Sequence, residues 1–225
     1  MQVGTKFKLR ELAMDLYYSP MACSMASRIS LYEAQAPARF IEVDPQTKRT
    51  LDNDTDFFTI NPLGLVPTLR TDSGDVLTEN AAILQYIADQ FPAAELAPQS
   101  GMARSRLQQW LCFIGTELHK ALFAPLFDKK MPAEAKTRTL EKGDSRLAYL
   151  NTYLEGREFL LDRFGVADAY LFTVLNWKIA TPVDLEKWPA VLAYYNRMKA
   201  RPSIARALTE ERTLYAAEVA RHKAA

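Results

Sequence analysis

Cysteine is scarce in this chain: Cys23 and Cys112 are its only two among 225 residues. Two thiols do not make a disulfide framework, so a reducing compartment is the expected setting. Long apolar runs are missing too, and none approaches the length that a bilayer-spanning helix requires. The opening stretch MQVGTKFKLRELA is too charged to supply the apolar core of a secretory signal. A cytoplasmic protein with no membrane association is expected. There is no basic run and the formal net charge is +1, which argues against an electrostatic nucleic-acid binder. Internal repeats, low-complexity segments and a metal-ligand cluster are likewise absent from the pattern.

What is present is ordinary for a globular protein, 48% hydrophobic and 24% charged, in a chain long enough for one large domain or two small ones. Regular patterning begins at Met14, and residues 1–13 read as an N-terminal extension. From there strand and helix signals alternate. MDLYYS reads as a strand, MASRISLYEAQA as a helix, and ARFIEVD as a second strand. A strand over Thr68 to Thr71, a turn at Asp72-Ser73-Gly74-Asp75 and a strand over Val76 to Leu77 form a hairpin. ENAAILQYIADQF then places Ile83, Tyr86 and Ile87 at helical spacing. This α/β order predicts a small domain over residues 14–92, followed by a proline-bearing linker over 93–101.

Beyond the linker the periodicity is helical, which predicts an all-α domain over 102–225. Leu107, Leu111, Ile114, Leu118 and Leu122 form one stripe. Leu147, Leu150 and Leu154 form another, which Gly156 could close. VADAYLFTVLNWKIA is almost wholly apolar, as a central helix should be, and Pro189 suits the first turn of the next helix. His222, in the polar tail, reads as exposed and idle.

Within this frame YYSPMACS stands out, because it puts Cys23 after a proline turn at the mouth of a helix. Backbone N–H groups and the helix dipole favour a thiolate at such a place. The other reading of Cys23 is a small inert hydrophobe packed on the sheet.

Three motifs, in order and spanning Met14 to about Ala207, resemble the cytosolic glutathione transferases, in detail their bacterial beta class. They are YYSPMACS, then NPLGLVPTL followed by LTEN, then ELHK with FGVADAYLF and WPAVLAYYNRMKARPSI downstream. The resemblance implies a thioredoxin-like N-terminal domain, an all-helical C-terminal domain and a homodimer. It also implies glutathione as co-substrate with no tightly bound cofactor, and a small electrophile as the second substrate. Cys23 would be the active-site thiol. Val66-Pro67 would be a cis peptide that offers the Val66 backbone to the cysteinyl unit of glutathione.

The same resemblance assigns Glu79 to the γ-glutamyl ammonium and Lys48 to the glycyl carboxylate. Glu79 reads otherwise as a simple helix-start charge, and Lys48 as an exposed loop charge. Asn80 stands where serine or glycine is usual and keeps a hydrogen-bonding side chain. Tyr18 and Ser24 flank the thiol as candidate donors, although Tyr18 also reads as a strand aromatic in the core. His119 would face the sulfur from the helical domain, with Lys120 adding positive charge.

Cys112 lies on nearly the same helical face as His119, where asparagine is common in the family. It reads either as buried packing or as a second thiol by the site. Phe113, Leu122, Phe123 and Phe127 are the candidate lining of an electrophile pocket. Asp168 reads as a structural helix-start residue, with Gly165 as an N-cap that lacks a side-chain acceptor. Asp162 replaces a frequent glycine and is expected in a left-handed conformation.

The expected activity is conjugation of glutathione, with thiol transfer through an accessible, low-pKa Cys23 as a possible addition. Ala26 stands at the third position after Cys23, so there is no C-x-x-C partner. A non-catalytic binding or regulatory scaffold of the same fold is the alternative.

Overall fold

Met14–Tyr18 alternates side chains between two covered faces and forms β1, with Leu16 fully buried on one side and Tyr17 on the other. The computed structural model describes residues 14–224, so the extension assigned to 1–13 lies outside the described residues. β2 (Ala38–Glu42) runs parallel to β1, while β3 (Thr68–Arg70) pairs with it antiparallel, bringing Leu16 opposite Leu69. β4 (Val76–Thr78) closes the sheet in the order β2-β1-β3-β4. The β3–β4 turn uses Gly74 at φ +91°, a conformation that a side chain resists. The predicted hairpin is therefore present to within a residue.

α1 (Met25–Glu33) is the crossover between the parallel strands, and α2 (Asn80–Gln90) follows β4. Leu31, Ile83 and Ile87 press one face of the sheet, while Phe57 covers the other beside Tyr17, Ile41 and Val43. The far sides of α1 and α2, through Met25, Ile29 and Leu84, join the core of the helical domain. The cleft between the domains is thus walled by the same elements that build the sheet layer.

The helical domain begins with α3 (Gly101–Phe113), which runs unbroken into a π-helical segment, Ile114–Phe123, and then α4 (Ala124–Phe127). The wider winding is seen where the Ala124 N–H bonds the His119 carbonyl five residues back. All five members of the predicted leucine–isoleucine stripe are buried. α5 (Ala133–Leu154) ends before Gly156, whose φ of +70° confirms the closing role expected of it. The apolar α6 (Val166–Asn176) is buried at every residue and forms the hub. α7 (Pro189–Lys199) and α8 (Pro202–Ala224) complete the domain.

One departure from the family pattern finds its reason here. A Cβ on Gly165 would come within 2.6 Å of the Leu96 carbonyl oxygen, so the linker excludes a capping side chain. Asp168 supplies the missing order. Its buried carboxylate accepts from Leu160 N–H at 2.9 Å, Gly165 N–H at 3.0 Å and the Tyr194 hydroxyl at 2.8 Å. Burial nevertheless pushes its pKa up to about 6. Asp162, in contrast to expectation, is not among the residues with positive φ; Glu95, in the linker, is.

Candidate active site

The loop from β1 to α1 carries Cys23 and is held from both domains. Met21 sits at φ +60°, unfavourable for a residue with a side chain. Its N–H donates to Glu211 Oε2 at 2.6 Å, and its carbonyl accepts from Trp177 Nε1 at 2.9 Å. Glu211, fully buried on α8, also accepts from Arg28 Nε at 2.9 Å; burial pushes its pKa up to about 7 against those partners. From the sheet side, Asn80 Nδ2 donates to the Cys23 carbonyl at 2.8 Å while its Oδ1 accepts from Ser27 Oγ at 3.1 Å. The bulk of Asn80 is therefore used to tie the start of α2 to the cysteine loop.

Cys23 lies just before α1, one residue ahead of the N-cap Ser24. Its thiol donates to the Val66 carbonyl at 3.3 Å, across the cis Val66–Pro67 peptide. Burial pushes the thiol pKa up to about 12, outweighing Lys120 and the backbone N–H groups of Cys23 and Ser24. This shift runs opposite to the low pKa expected of Cys23, while the thiol remains partly exposed where it lines the cleft. At this helix start the first amides are already engaged, Met25 N–H with Ala22 O and Ala26 N–H with Cys23 O, which weakens their pull on the sulfur.

A cleft of about 620 Å³ opens over the thiol. Its sheet-side wall holds Lys48, Val66, Pro67, Glu79 and Asn80, and its helical wall holds Cys112, His119, Lys120 and Tyr170. Lys48 donates to the Gly64 carbonyl at 3.1 Å, and exposed Glu79 is fixed at φ +67° at the head of α2. Cys112 is exposed on the cleft wall, which overturns the buried-packing reading of it. His119 projects from the π-helical segment. Burial, aided by Lys120, depresses its pKa to about 4, so the ring is neutral at neutral pH. Nδ1 lies 2.9 Å from the Tyr170 hydroxyl, which can donate or accept and so sets which ring nitrogen carries the proton.

Tyr170 is the group the sequence reading missed. Its position inside an apolar helix run reads as core, and only the packing of α6 against the π-helical segment brings its hydroxyl to His119. Several named candidates fall elsewhere. The Tyr18 ring lies under the Arg28 guanidinium and edge-on to Phe40, and its environment is the sheet core rather than the sulfur. Ser24 is fully buried, with its hydroxyl donated to the Ser19 carbonyl.

A second cavity, about 440 Å³, adjoins Cys23 and His119 and is walled by Phe127, Trp177, Ile179 and α8. Of the four proposed pocket residues, only Phe127 lines it. Phe113 packs edge-on against Trp110 and Tyr149, away from the cavity. Leu122 packs against Gly143 of α5, and Phe123 is fully buried behind Trp177. His222 is not idle: its Nε2 is 2.8 Å from Asp44 Oδ2 as α8 returns over the sheet domain.

A four-stranded thioredoxin-like sheet and an all-helical second domain, with a cysteine under the cleft between them, define the class of two-domain thioredoxin-like proteins. Residues 20–90 match the glutathione S-transferase N-terminal domain, and residues 110–202 match the C-terminal domain of that family. The chain is 42% identical to the glutathione S-transferase GstA of Escherichia coli O157:H7, covering 88% of this chain and 98% of that one. A sphingomonad glutathione S-transferase complexed with glutathione superposes with a TM-score of 0.83 at 43% identity, with the same coverage. A bacterial beta class glutathione S-transferase from Sphingomonas chungbukensis gives 0.83 at 42% identity, again over 88% and 98% of the two chains. This chain belongs to the glutathione S-transferase family.

Proposed function

We propose that the cleft binds glutathione and joins its sulfur to small electrophiles held in the adjoining apolar cavity. One observation carries the reading: Cys23 and His119 face the same cleft from opposite domains, at the point where it meets the second cavity. The Val66 backbone offers strand-like pairing to the cysteinyl unit. Glu79 pairs with the γ-glutamyl ammonium, while the head of α2 receives the neighbouring carboxylate. Lys48 turns from Gly64 to the glycyl carboxylate. Cys112 and Lys120 bound the tripeptide from the helical side.

The sulfur of glutathione is the nucleophile in this account. The protonated Cys23 thiol turns from the Val66 carbonyl to donate its S–H to that sulfur, and neutral His119, oriented by Tyr170, hydrogen-bonds the same sulfur and relays its proton to solvent. Attack forms a carbon–sulfur bond, and the leaving group departs with its electron pair. Thiol transfer through Cys23 is a secondary reading and requires that raised-pKa thiol to ionise. A non-catalytic scaffold is not favoured, because the relatives it matches over nearly their full length are named as transferases.

We further place the protein in the cytoplasm; among the described residues no helix is long and apolar enough to cross a membrane. The partition into domains 14–92 and 102–225, joined at 93–101, belongs to this reading as well. So does a homodimer. Supporting it, the loop before Pro67 exposes Leu63 and Leu65, and the helical domain exposes Met102 and Tyr149. Retention on immobilised glutathione, with turnover of 1-chloro-2,4-dinitrobenzene, tests the activity; no retention and no turnover would reject it. Sedimentation of the 25.5 kDa chain should give about twice that mass, and a monomer mass would reject the dimer.

A further inference from the structure

The apolar cavity beside Cys23 and His119 has one charged end. Phe127, Trp177 and Ile179 give it aromatic and aliphatic walls, and no acidic side chain lines it. The only lining cation besides the weakly basic His119 is Arg212 of α8. The two other arginines of that helix are paired, Arg206 with Glu210 at 2.8 Å and Arg221 with Glu42 at 2.6 Å. Arg212 has no carboxylate within ion-pair distance among the described residues, although Glu211 is its neighbour in sequence. That carboxylate is already engaged by Arg28 and the Met21 N–H. Tyr215, three residues on along the same helix, also lines the cavity.

We infer that this cavity selects planar aromatic electrophiles that carry a carboxylate, with Arg212 as the specificity-determining residue. The inference rests on the conjugation reading above. An aromatic ring can pack on the apolar wall that Phe127 and Trp177 make together, their rings edge-on at 5.6 Å, whereas a carboxylate finds a partner only at Arg212, whose planar fork suits it. With the ring so oriented, the opposite edge of the substrate points toward the thiol end of the cleft. A cation that has no protein partner also avoids the loss of an existing ion pair when the ligand binds.

The test compares 4-chloro-3,5-dinitrobenzoate with its neutral methyl ester. In each case the glutathione sulfur bonds to the chlorine-bearing carbon, chloride leaves with the electron pair, and the thiol proton passes to buffer. Rates are corrected for the uncatalysed reaction, since the ester is the more activated ring. The wild-type enzyme should favour the acid. Arg212→Gln should lower the acid-to-ester ratio of kcat/KM about tenfold, mainly through KM of the acid, and Arg212→Lys should restore part of it. A ratio unchanged by Arg212→Gln, with turnover intact, would overturn the inference and leave the conjugation reading standing. Turnover of neither compound would instead reject the conjugation reading. Calorimetric titration with 3,5-dinitrobenzoate and its methyl ester then decides for the cavity. A preference for the acid that is lost in Arg212→Gln supports the assignment, while equal or absent binding overturns it.

Discussion

Around the sulfur, three side chains and one carbonyl set the chemistry. Val66 C=O accepts from the Cys23 thiol, and burial acts in the same direction, so Cys23 keeps its proton. His119 is held neutral by burial and by Lys120, and Tyr170 fixes its orientation. His119→Ala should lower kcat/KM for an aryl halide by about a hundredfold, within the range for a positioned proton-transfer group. At neutral pH the thermal midpoint should stay close to wild type, because the ring lies at a cleft wall. A large loss of stability with turnover per folded molecule preserved would assign His119 to packing alone. Cys23 and His119 were legible because a thiol before a helix and a histidine in ELHK are unusual residue types in specific contexts. Tyr170 was not legible, since its hydroxyl has meaning only once α6 meets the π-helical segment. Leu122 and Phe123 show the reverse error. Apolar residues carry no mark of which cavity they face, and Leu122 already belonged to the core stripe.

Among the elements, α8 has the widest reach. It covers α1, presents Glu211 to the cysteine loop and ends on the sheet domain through Arg221 and His222. Arg28 is buried between the Tyr18 and Phe40 rings, 4.3 Å from each centroid, and depends on Glu211 and Glu210 for its charge balance. Glu211→Ala leaves that guanidinium without its closest partner and releases the Met21 N–H. A destabilisation of about 3–5 kcal/mol is expected, read by urea unfolding. Glu211→Gln keeps an acceptor oxygen and should lose less. Equal, small losses in both variants would contradict the clamp. The strands, the hairpin turn and the helical stripes could be read from periodicity, which is a local property. The contacts of α8 could not, because Glu211 meets Met21 across 190 residues and nothing local encodes that meeting.

At the scale of the molecule, buried titratable groups tie stability to pH with opposite signs. His119 has a folded pKa of about 4, below the ordinary value of about 6.5. Its unfolded form binds more protons between those values, so its contribution is lost as pH falls through that window. Asp44, depressed to about 2 by its backbone donors and His222, acts in the same sense at lower pH. Asp168 and Glu211 are raised, to about 6 and about 7, so their contribution is full at low pH and declines as pH rises through those values. The stability difference between wild type and His119→Ala isolates the first effect. It should grow in favour of wild type as pH rises from about 4 to about 6.5 and then level off. A pH-independent difference would mean that the imidazole is not held neutral by burial. The two-domain order behind this behaviour was readable from the change of periodicity near the linker. Asp168 was legible as a structural residue at the start of a buried helix, whereas the burial of Glu211 was not, since its partners Arg28 and Met21 lie far along the chain.

We propose that the cleft ionises the thiol of glutathione while Cys23 remains a protonated donor. Thiolate ultraviolet absorbance, followed by titrating the protein at neutral pH with glutathione, tests it most directly. No thiolate signal from Cys23 is expected before glutathione is added, and one thiolate per chain is expected at saturation. A thiolate signal already present without glutathione, absent in Cys23→Ala, would contradict it, as would saturation with no new thiolate.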